Sequence, residues 1–321
     1  MVCNVSRITL RSLLIGTTRF LVVLGSVLVA PPLSAADSTA NVLVIADMDS
    51  SIHQVFIDTL RRDSAIEDTL KVIDIAEFNN NADSISQTDT RLLMPVGVNA
   101  LNSVINSNPT LPVWAALVPK RSYESLLEHA AEADLYSAWV VDQPLPRRFD
   151  LLKLALPTVK RIGVLVGESP ENAVQALQDA AVERSLELIV HRVSDEQDAV
   201  AQTQKLGETV DAMLAVPDRV SLNLNNAKGI LLSAYRQRLP IVGYTRAYVS
   251  AGALVAVYSM PEQIAQQVIE EWTMLVPNTQ IKSELHYPKY FSVAVNTRVA
   301  RSLGIQLPSQ ASLFTRLQEA E

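Results

Sequence analysis

Cysteine is nearly missing from this chain of 321 residues: the single one, Cys3, lies close to the start. A chain so built cannot rest on a disulfide framework or a thiolate metal site. Glycine is scarce, at 10 residues, and none falls into a Gly-x-Gly-x-x-Gly dinucleotide loop, a phosphate-cradling Gly-x-x-x-x-Gly-Lys or a Gly-x-Ser-x-Gly elbow. The four histidines, His53, His129, His191 and His286, stand far apart, and none pairs with another at metal-ligand spacing. Each reads as a surface or half-buried polar residue. With no recognisable nucleophile, base and orienter, the composition points to binding, with no catalytic residue, no metal and no cofactor.

Long apolar runs are also few, and the first 35 residues account for the most prominent. Arg7, Arg11 and Arg19 form a basic region without acidic residues, and Phe20–Ala30 is an apolar core too short to span a bilayer. Leu33-Ser34-Ala35 supplies small residues where a signal peptidase reads, which predicts a leader over 1–35 with cleavage after Ala35. The alternative, an uncleaved anchor helix, is opposed by Arg19, which interrupts any longer apolar run. Cys3 would leave with the leader, and no cysteine stands at the cleavage site to carry a lipid. The expected product is exported, periplasmic, not lipidated and without stable membrane insertion. Losing three arginines takes the formal charge from −7 to −10. An acidic balance without a basic cluster excludes nucleic acid and anionic membrane as natural partners.

What the chain does have is alternation. Hydrophobic residues make up 48% and charged ones 19%, enough to build two α/β cores in a chain of this length. Short apolar runs at Asn41–Ala46, Lys71–Ala76, Leu92–Val96, Pro112–Val118 and Tyr136–Val141 read as buried strands with helices between them, Glu77–Thr90 being irregular or a weak helix. The linker Asp142–Pro146, DQPLP, follows. Then PRRFDLLKLALPTVKRIGVLVGESPEN, Pro146 to Asn172, opens a second unit. Phe149, Leu152 and Leu156 share one helix face, Pro157 ends that helix, and Ile162–Val166 is a continuous β-branched strand. Ser169 sits where an N-cap belongs, with Pro170 at the first helical position. Further strands fall at Leu186–Val193, Ala212–Val216, Ile241–Gly243, Ala253–Val257 and Tyr290–Val295. The fold class is α/β, two doubly wound parallel-sheet lobes, with right-handed crossovers and ligand loops beyond the carboxyl ends of the strands.

KRIGVLVGESPEN, VDAMLAVPD (Val210–Asp218), RLPIVGY (Arg238–Tyr244), SAGALVAV (Ser250–Val257) and YFSVAVNTRVARSLGIQLP (Tyr290–Pro308) together resemble the ABC-transporter substrate-binding family that includes tryptophan- and tyrosine-binding members. In the first half, IHQVF (Ile52–Phe56) and LPVWAALVP fall where that family has its early helix and fourth strand. The resemblance implies a type I periplasmic-binding-protein fold whose two lobes close on a small ligand and whose chain crosses between lobes three times. The helix after Pro261 would return to lobe 1, and the final strand would rejoin lobe 2. The implied division is lobe 1 over 41–145 plus about 258–282, lobe 2 over 146–257 plus about 283–308, and a tail over 309–321. The implied function is solute capture for an ABC permease; the alternative is a ligand-sensing or assembly-partner periplasmic module that serves none.

The chain departs from that family in its cleft loops. Val118-Pro119-Lys120-Arg121 replaces an Asp-Pro loop, Arg219 stands where asparagine is usual, and Tyr244-Thr245-Arg246 follows RLPIVG. The aromatic amino-acid specificity therefore does not carry over. Arginines here point to an anionic or zwitterionic ligand, or to internal pairing with Asp47, Asp49 or Asp218. The expected ligand residues are Ser50, Asn99, Arg121 and Tyr123 from lobe 1, and Ser169, Asn172, Asp218, Arg219, Tyr244 and Arg246 from lobe 2. Ser169 and Asp218 have a second reading as helix caps, and Tyr244 either stacks on a planar ligand group or closes the lobe edge. Trp114 and Trp139, inside strands, are expected in the core.

Overall fold

The computed structural model describes residues 41–85, 90–167, 169–218, 220, 226–274 and 283–321. The leader expected over 1–35 lies outside them.

The first lobe alternates strand and helix: β1 (Asn41–Ala46), α1 (Ser51–Arg61), β2 (Leu70–Asp74), α2 (Ile75–Ile85), β3 (Thr90–Pro95), α3 (Val98–Asn106), β4 (Val113–Val118), α4 (Lys120–Leu127) and β5 (Tyr136–Val140). The second repeats the pattern with α5 (Leu145–Ala155), β6 (Arg161–Val166), α6 (Glu171–Val182), β7 (Glu187–Arg192), α7 (Glu196–Gly207), β8 (Ala212–Leu214), α8 (Ala227–Arg236), β9 (Ile241–Gly243), α9 (Arg246–Ala251) and β10 (Val255–Tyr258). The chain then runs through α10 (Pro261–Met274), β11 (Leu285–His286), β12 (Ser292–Val295), α11 (Thr297–Leu303) and α12 (Gln310–Gln318).

Two six-stranded sheets result, ordered β11-β5-β4-β3-β1-β2 and β12-β10-β9-β8-β6-β7. All six residues of β4 are buried, as are the last five of β6, so these apolar runs have both faces covered by helices. β7, at an edge, is only half buried. Each sheet lies between two apolar layers. In the first lobe Phe56 and Ile57 of α1 pack with Ile264, Val268 and Ile269 of α10 on one side, and Leu101 and Val104 of α3 line the other. In the second, Phe149, Leu151 and Leu152 of α5 meet Leu313 and Leu317 of α12.

Several elements differ from expectation. Among the described residues pairing is parallel except between β12 and β10, which run antiparallel with Ser292 opposite Tyr258 and Val295 opposite Val255. The preceding segment arrives from the first lobe, so it enters the second sheet at the carboxyl end of β10 and must run back. Leu285–His286 pairs with β5 in the first sheet, which puts the last crossing after residue 286 instead of near 282. Residues 310–318 are a helix with Leu313 and Leu317 fully buried, not a tail; Ser309 caps it by accepting from the Ser312 N–H at 3.2 Å. Of the stretch read as irregular or weakly helical, the helical alternative holds over 77–85, within α2. Phe78 is buried there at 2% exposure, and Asp74 starts the helix by accepting from the Ala76 N–H at 2.8 Å.

The segments that pass between the lobes are laced together. Gln143 Nε2 donates to Ser259 Oγ at 2.8 Å, and Ser259 Oγ donates to the Tyr290 carbonyl at 2.5 Å. Arg147 Nη1 donates to Gln143 Oε1 at 2.8 Å and to the Pro288 carbonyl at 2.7 Å, its guanidinium lies 4.4 Å over the Phe291 ring, and its Nε donates to Glu321. One buried arginine thus ties the first crossing to the last.

Candidate functional site

The loops after the strands' carboxyl ends face one another between the lobes. On the first-lobe side, Ser50 caps α1 by accepting from the His53 N–H at 3.4 Å, and the Asp47–Ser50 turn holds the chain close. His53 lies beneath this turn; burial pushes its imidazole pKa down, against the pull of Asp47. Gly97, between β3 and α3, has φ +84°, and a Cβ there would stand 2.7 Å from His53 Nε2. Only glycine satisfies both the left-handed backbone and the close approach of the imidazole. Gly97 also begins α3 without any side-chain cap.

Arg121, in the first turn of α4, reaches across: its Nη1 donates to Asp218 Oδ2 at 2.8 Å. The Asp218 side chain is 1% exposed and that of Arg121 is 42% exposed, so the acid is sunk in lobe 2 while the base is partly solvated. Ser169 Oγ donates to the same Asp218 Oδ2 at 2.9 Å, and the Val220 N–H donates to Oδ1 at 2.9 Å. The β6–α6 loop can approach this carboxylate because Gly167 has no side chain; a Cβ there would stand 2.5 Å from Asp218 Oδ1 and 2.8 Å from Val220 Cβ. Arg192 fixes the outer side of the same loop, with Nη2 on Glu171 Oε2 at 2.5 Å and Nη1 on the Ser169 carbonyl at 3.5 Å.

Asp142 and Arg148 form a second set of charges. Asp142, just past β5, accepts from the Lys120 N–H at 2.6 Å. Arg148, in α5, is 5% exposed; its Nη2 donates to the Ala215 carbonyl at the end of β8, and its Nε is buried without a hydrogen-bond partner. Burial brings the Arg148 pKa down to about 10, opposed by the fields of Asp142 and Tyr244. Burial likewise raises the Asp142 carboxyl, opposed by the Lys120 N–H and by Arg148. Tyr244 stacks on Tyr248 with ring centroids 5.2 Å apart, and burial raises its hydroxyl pKa against the field of Arg148.

Of the residues singled out from the sequence, Arg121, Ser169 and Asp218 come together. The Ser169 reading as a cap fails: Pro170 occupies the N-cap position of α6, and the hydroxyl is drawn to Asp218. Tyr123, expected among the ligand residues, points away from the cleft loops. It is 5% exposed in the first-lobe core, its hydroxyl donates to the Tyr136 carbonyl at 3.0 Å, and burial pushes its pKa up to about 12. Asn99, Asn172 and Arg246 are exposed in the first turns of α3, α6 and α9. Arg219 lies outside the described residues. Trp114 and Trp139 are buried and pack on each other with centroids 4.7 Å apart. Asp142 and Arg148 escaped the sequence reading, although Arg148 sits in the conspicuous PRRFD run; no local pattern marks a charge whose partners lie in other segments.

A family model described as ABC transporter substrate binding protein matches residues 63–314. An ABC domain from Streptococcus pneumonia, solved in complex with L-Trp, is 16% identical with a TM-score of 0.58, covering 86% of this chain and 97% of that one. A ligand-free, open substrate-binding protein with adhesive properties from Clostridium difficile is 13% identical with a TM-score of 0.67, covering 84% of this chain and 96% of that one. A conserved domain protein from Vibrio cholerae is 18% identical with a TM-score of 0.58, covering 87% and 98% respectively. These likenesses concern the fold. No curated protein matches the sequence.

Proposed function

The chain belongs to the ABC transporter substrate-binding protein family, a family of binding proteins and not of enzymes, and from that premise we propose a periplasmic solute receptor. It captures a small anionic or zwitterionic ligand between its two lobes and hands it to an ABC permease. The observation that carries this reading is the meeting of loops from both sheets at Arg121 and Asp218, 2.8 Å apart. The Arg121 side chain is 42% exposed at this meeting point, so solvent and ligand reach its planar fork, which suits a carboxylate. Ser50, Asn99, Tyr244, Arg246 and Arg219 remain candidates for the rest of the contact set. Mass spectrometry of small molecules released from the purified protein, followed by calorimetry with those found, tests the proposal. Release of a carboxylate-bearing solute whose affinity falls in Arg121→Ala supports it; a purely cationic ligand, or affinity untouched by that change, defeats the anionic part.

The Arg121–Asp218 link uses protein groups alone, and this favours a second reading. The lobes of a sensing or assembly module would stay joined by such pairs with no permease to serve. Small-angle scattering separates the two: a receptor contracts on adding ligand, whereas a locked module keeps its profile at saturation.

A further inference from the structure

The opposite end of the second lobe carries a cavity that solute capture in the cleft does not explain. It holds about 590 Å³ and lies along the amino ends of β9, β8, β6 and β7, with Pro240, Asp211, Arg161 and Glu187 marking those strands in turn. This volume suits a small molecule, yet ligand sites of open α/β sheets belong at the carboxyl ends.

Its lining has two characters. Leu156, Val159, Pro240, Leu303 and Ile305 give it an apolar floor, and Lys160, Arg161, Glu187, Asp211 and Arg238 supply charge. Asp211 is already answered. It accepts from the Lys160 N–H at 3.0 Å, from the Arg161 N–H at 2.8 Å and from Arg161 Nη2 at 3.4 Å. The side chains of Lys160 and Arg238 make no hydrogen bond or ion pair among the described residues. An entering charge therefore meets more positive than negative potential, with Glu187 as the one unanswered acid.

Arg238 adds a second observation. Its backbone has φ +58°, and it closes α8 with the Leu239 N–H on the Ala234 carbonyl at 2.9 Å and its own N–H on the Tyr235 carbonyl at 3.0 Å. Helices that end this way ordinarily place glycine there, because a Cβ is disfavoured. The arginine thus occupies a position that costs it backbone strain, in the lining of the cavity.

We propose that this cavity is a second ligand site, separate from the interlobe cleft, for a small amphipathic molecule with an apolar body and one anionic end. The body lies on Leu156, Pro240, Leu303 and Ile305, and the anion is held between Lys160 and Arg238.

The test uses 1-anilinonaphthalene-8-sulfonate, an apolar fluorophore with one sulfonate, titrated into the full-length protein. Arg238→Gly removes the guanidinium and relieves the backbone, so that variant keeps or gains thermal stability. With Lys160→Gln added, dye affinity falls about tenfold, the scale of one charge-assisted hydrogen bond. Octanoate displaces the dye and octylammonium does not. Arg121→Ala, in the cleft, leaves dye affinity unchanged. The proposal is overturned by no saturable dye binding to the unsubstituted protein, by unchanged affinity in the Arg238→Gly, Lys160→Gln variant, or by equal displacement by octylammonium. Loss of dye binding in Arg121→Ala alone would assign the dye to the cleft and overturn it too.

Discussion

Arg121 Nη1 lies 2.8 Å from Asp218 Oδ2 across 97 positions of sequence, and the two residues stand on different lobes. Their environments are unequal. Asp218 is sunk in lobe 2, where Ser169 donates to Oδ2 and Val220 to Oδ1, while Arg121 reaches it from lobe 1 and is partly solvated. The consequences of removing each partner are therefore unequal as well.

Asp218→Ala strands the Ser169 hydroxyl and the Val220 N–H along with Arg121, and should cost about 2–4 kcal/mol. Arg121→Ala leaves Asp218 the Ser169 hydroxyl and the Val220 N–H among its donors, and because the guanidinium is screened by water it should cost at most about 1 kcal/mol. Urea unfolding of the two variants measures the difference. Equal losses would mean that Asp218 is not anchored in lobe 2 as described.

Gly167 and Gly97 set the walls of the cleft, for different reasons. Alanine at Gly167 would drive a methyl against Asp218 and Val220, so its main effect is on the carboxylate that meets Arg121. At Gly97 the methyl meets His53, and the backbone at φ +84° also resists a side chain. Each should cost about 1–3 kcal/mol. Only Gly167→Ala should weaken coupling between Arg121 and Asp218 in a double-mutant cycle. Unchanged coupling there would show that the loop has room to yield.

Much of the architecture is legible in the sequence because it is written locally. The runs at Asn41–Ala46 and Ile162–Val166 are continuous and apolar, as strands covered on both faces must be, and both are central strands. The direction of β12 is not local: it follows from where the chain re-enters the second lobe. The site divides in the same way. Arg121 and Asp218 follow strand ends, where topology aims residues at the cleft. Tyr123 sits close by in sequence, but helical spacing turns its ring into the core, where its hydroxyl finds the Tyr136 carbonyl. Ser169 obeyed its tertiary partner, 49 positions away, over the capping rule. Arg148 and Ala215 are 67 positions apart, and nothing in PRRFD announces that contact.

His286 lies stacked on Trp139, with ring centroids 4.4 Å apart and an interplanar angle of 7°, and Trp139 packs on Trp114, which meets Trp272. Those are all the tryptophans of the chain. Burial lowers the His286 pKa, against the fields of Glu271 and Glu284, and burial lowers that of His53 as well. The neutral imidazoles are therefore favoured in the native state. Above about pH 6.5, the unfolded value, both states are neutral at these sites and full stability is present. As pH falls below that value the unfolded chain takes up protons first, so stability declines until the native histidines titrate. Imidazolium quenches indole emission, so native fluorescence should drop with a midpoint below 6.5 and lose that step in His286→Gln. A midpoint above 6.5 would reverse the sign of the burial argument.

Asp142 and Arg148 give the last prediction. Both are withdrawn from water, and each acts on the other's titration. Arg148 also ties α5 to the end of β8 through the Ala215 carbonyl, while Asp142 holds the start of α4 through the Lys120 N–H. Replacing one charge leaves the other buried and uncompensated, a loss on the order of 3 kcal/mol. Asp142→Asn keeps an acceptor for the Lys120 N–H, so its cost reports mainly the missing charge. Arg148→Met keeps much of the volume of the stem and removes the guanidinium. If the two charges compensate one another, the double variant should be less destabilised than the sum of the single ones by more than about 1 kcal/mol. Denaturant unfolding of the four proteins closes the cycle. Additive losses would mean that Arg148 is held by Ala215 and its packing, and that the charge of Asp142 is answered elsewhere.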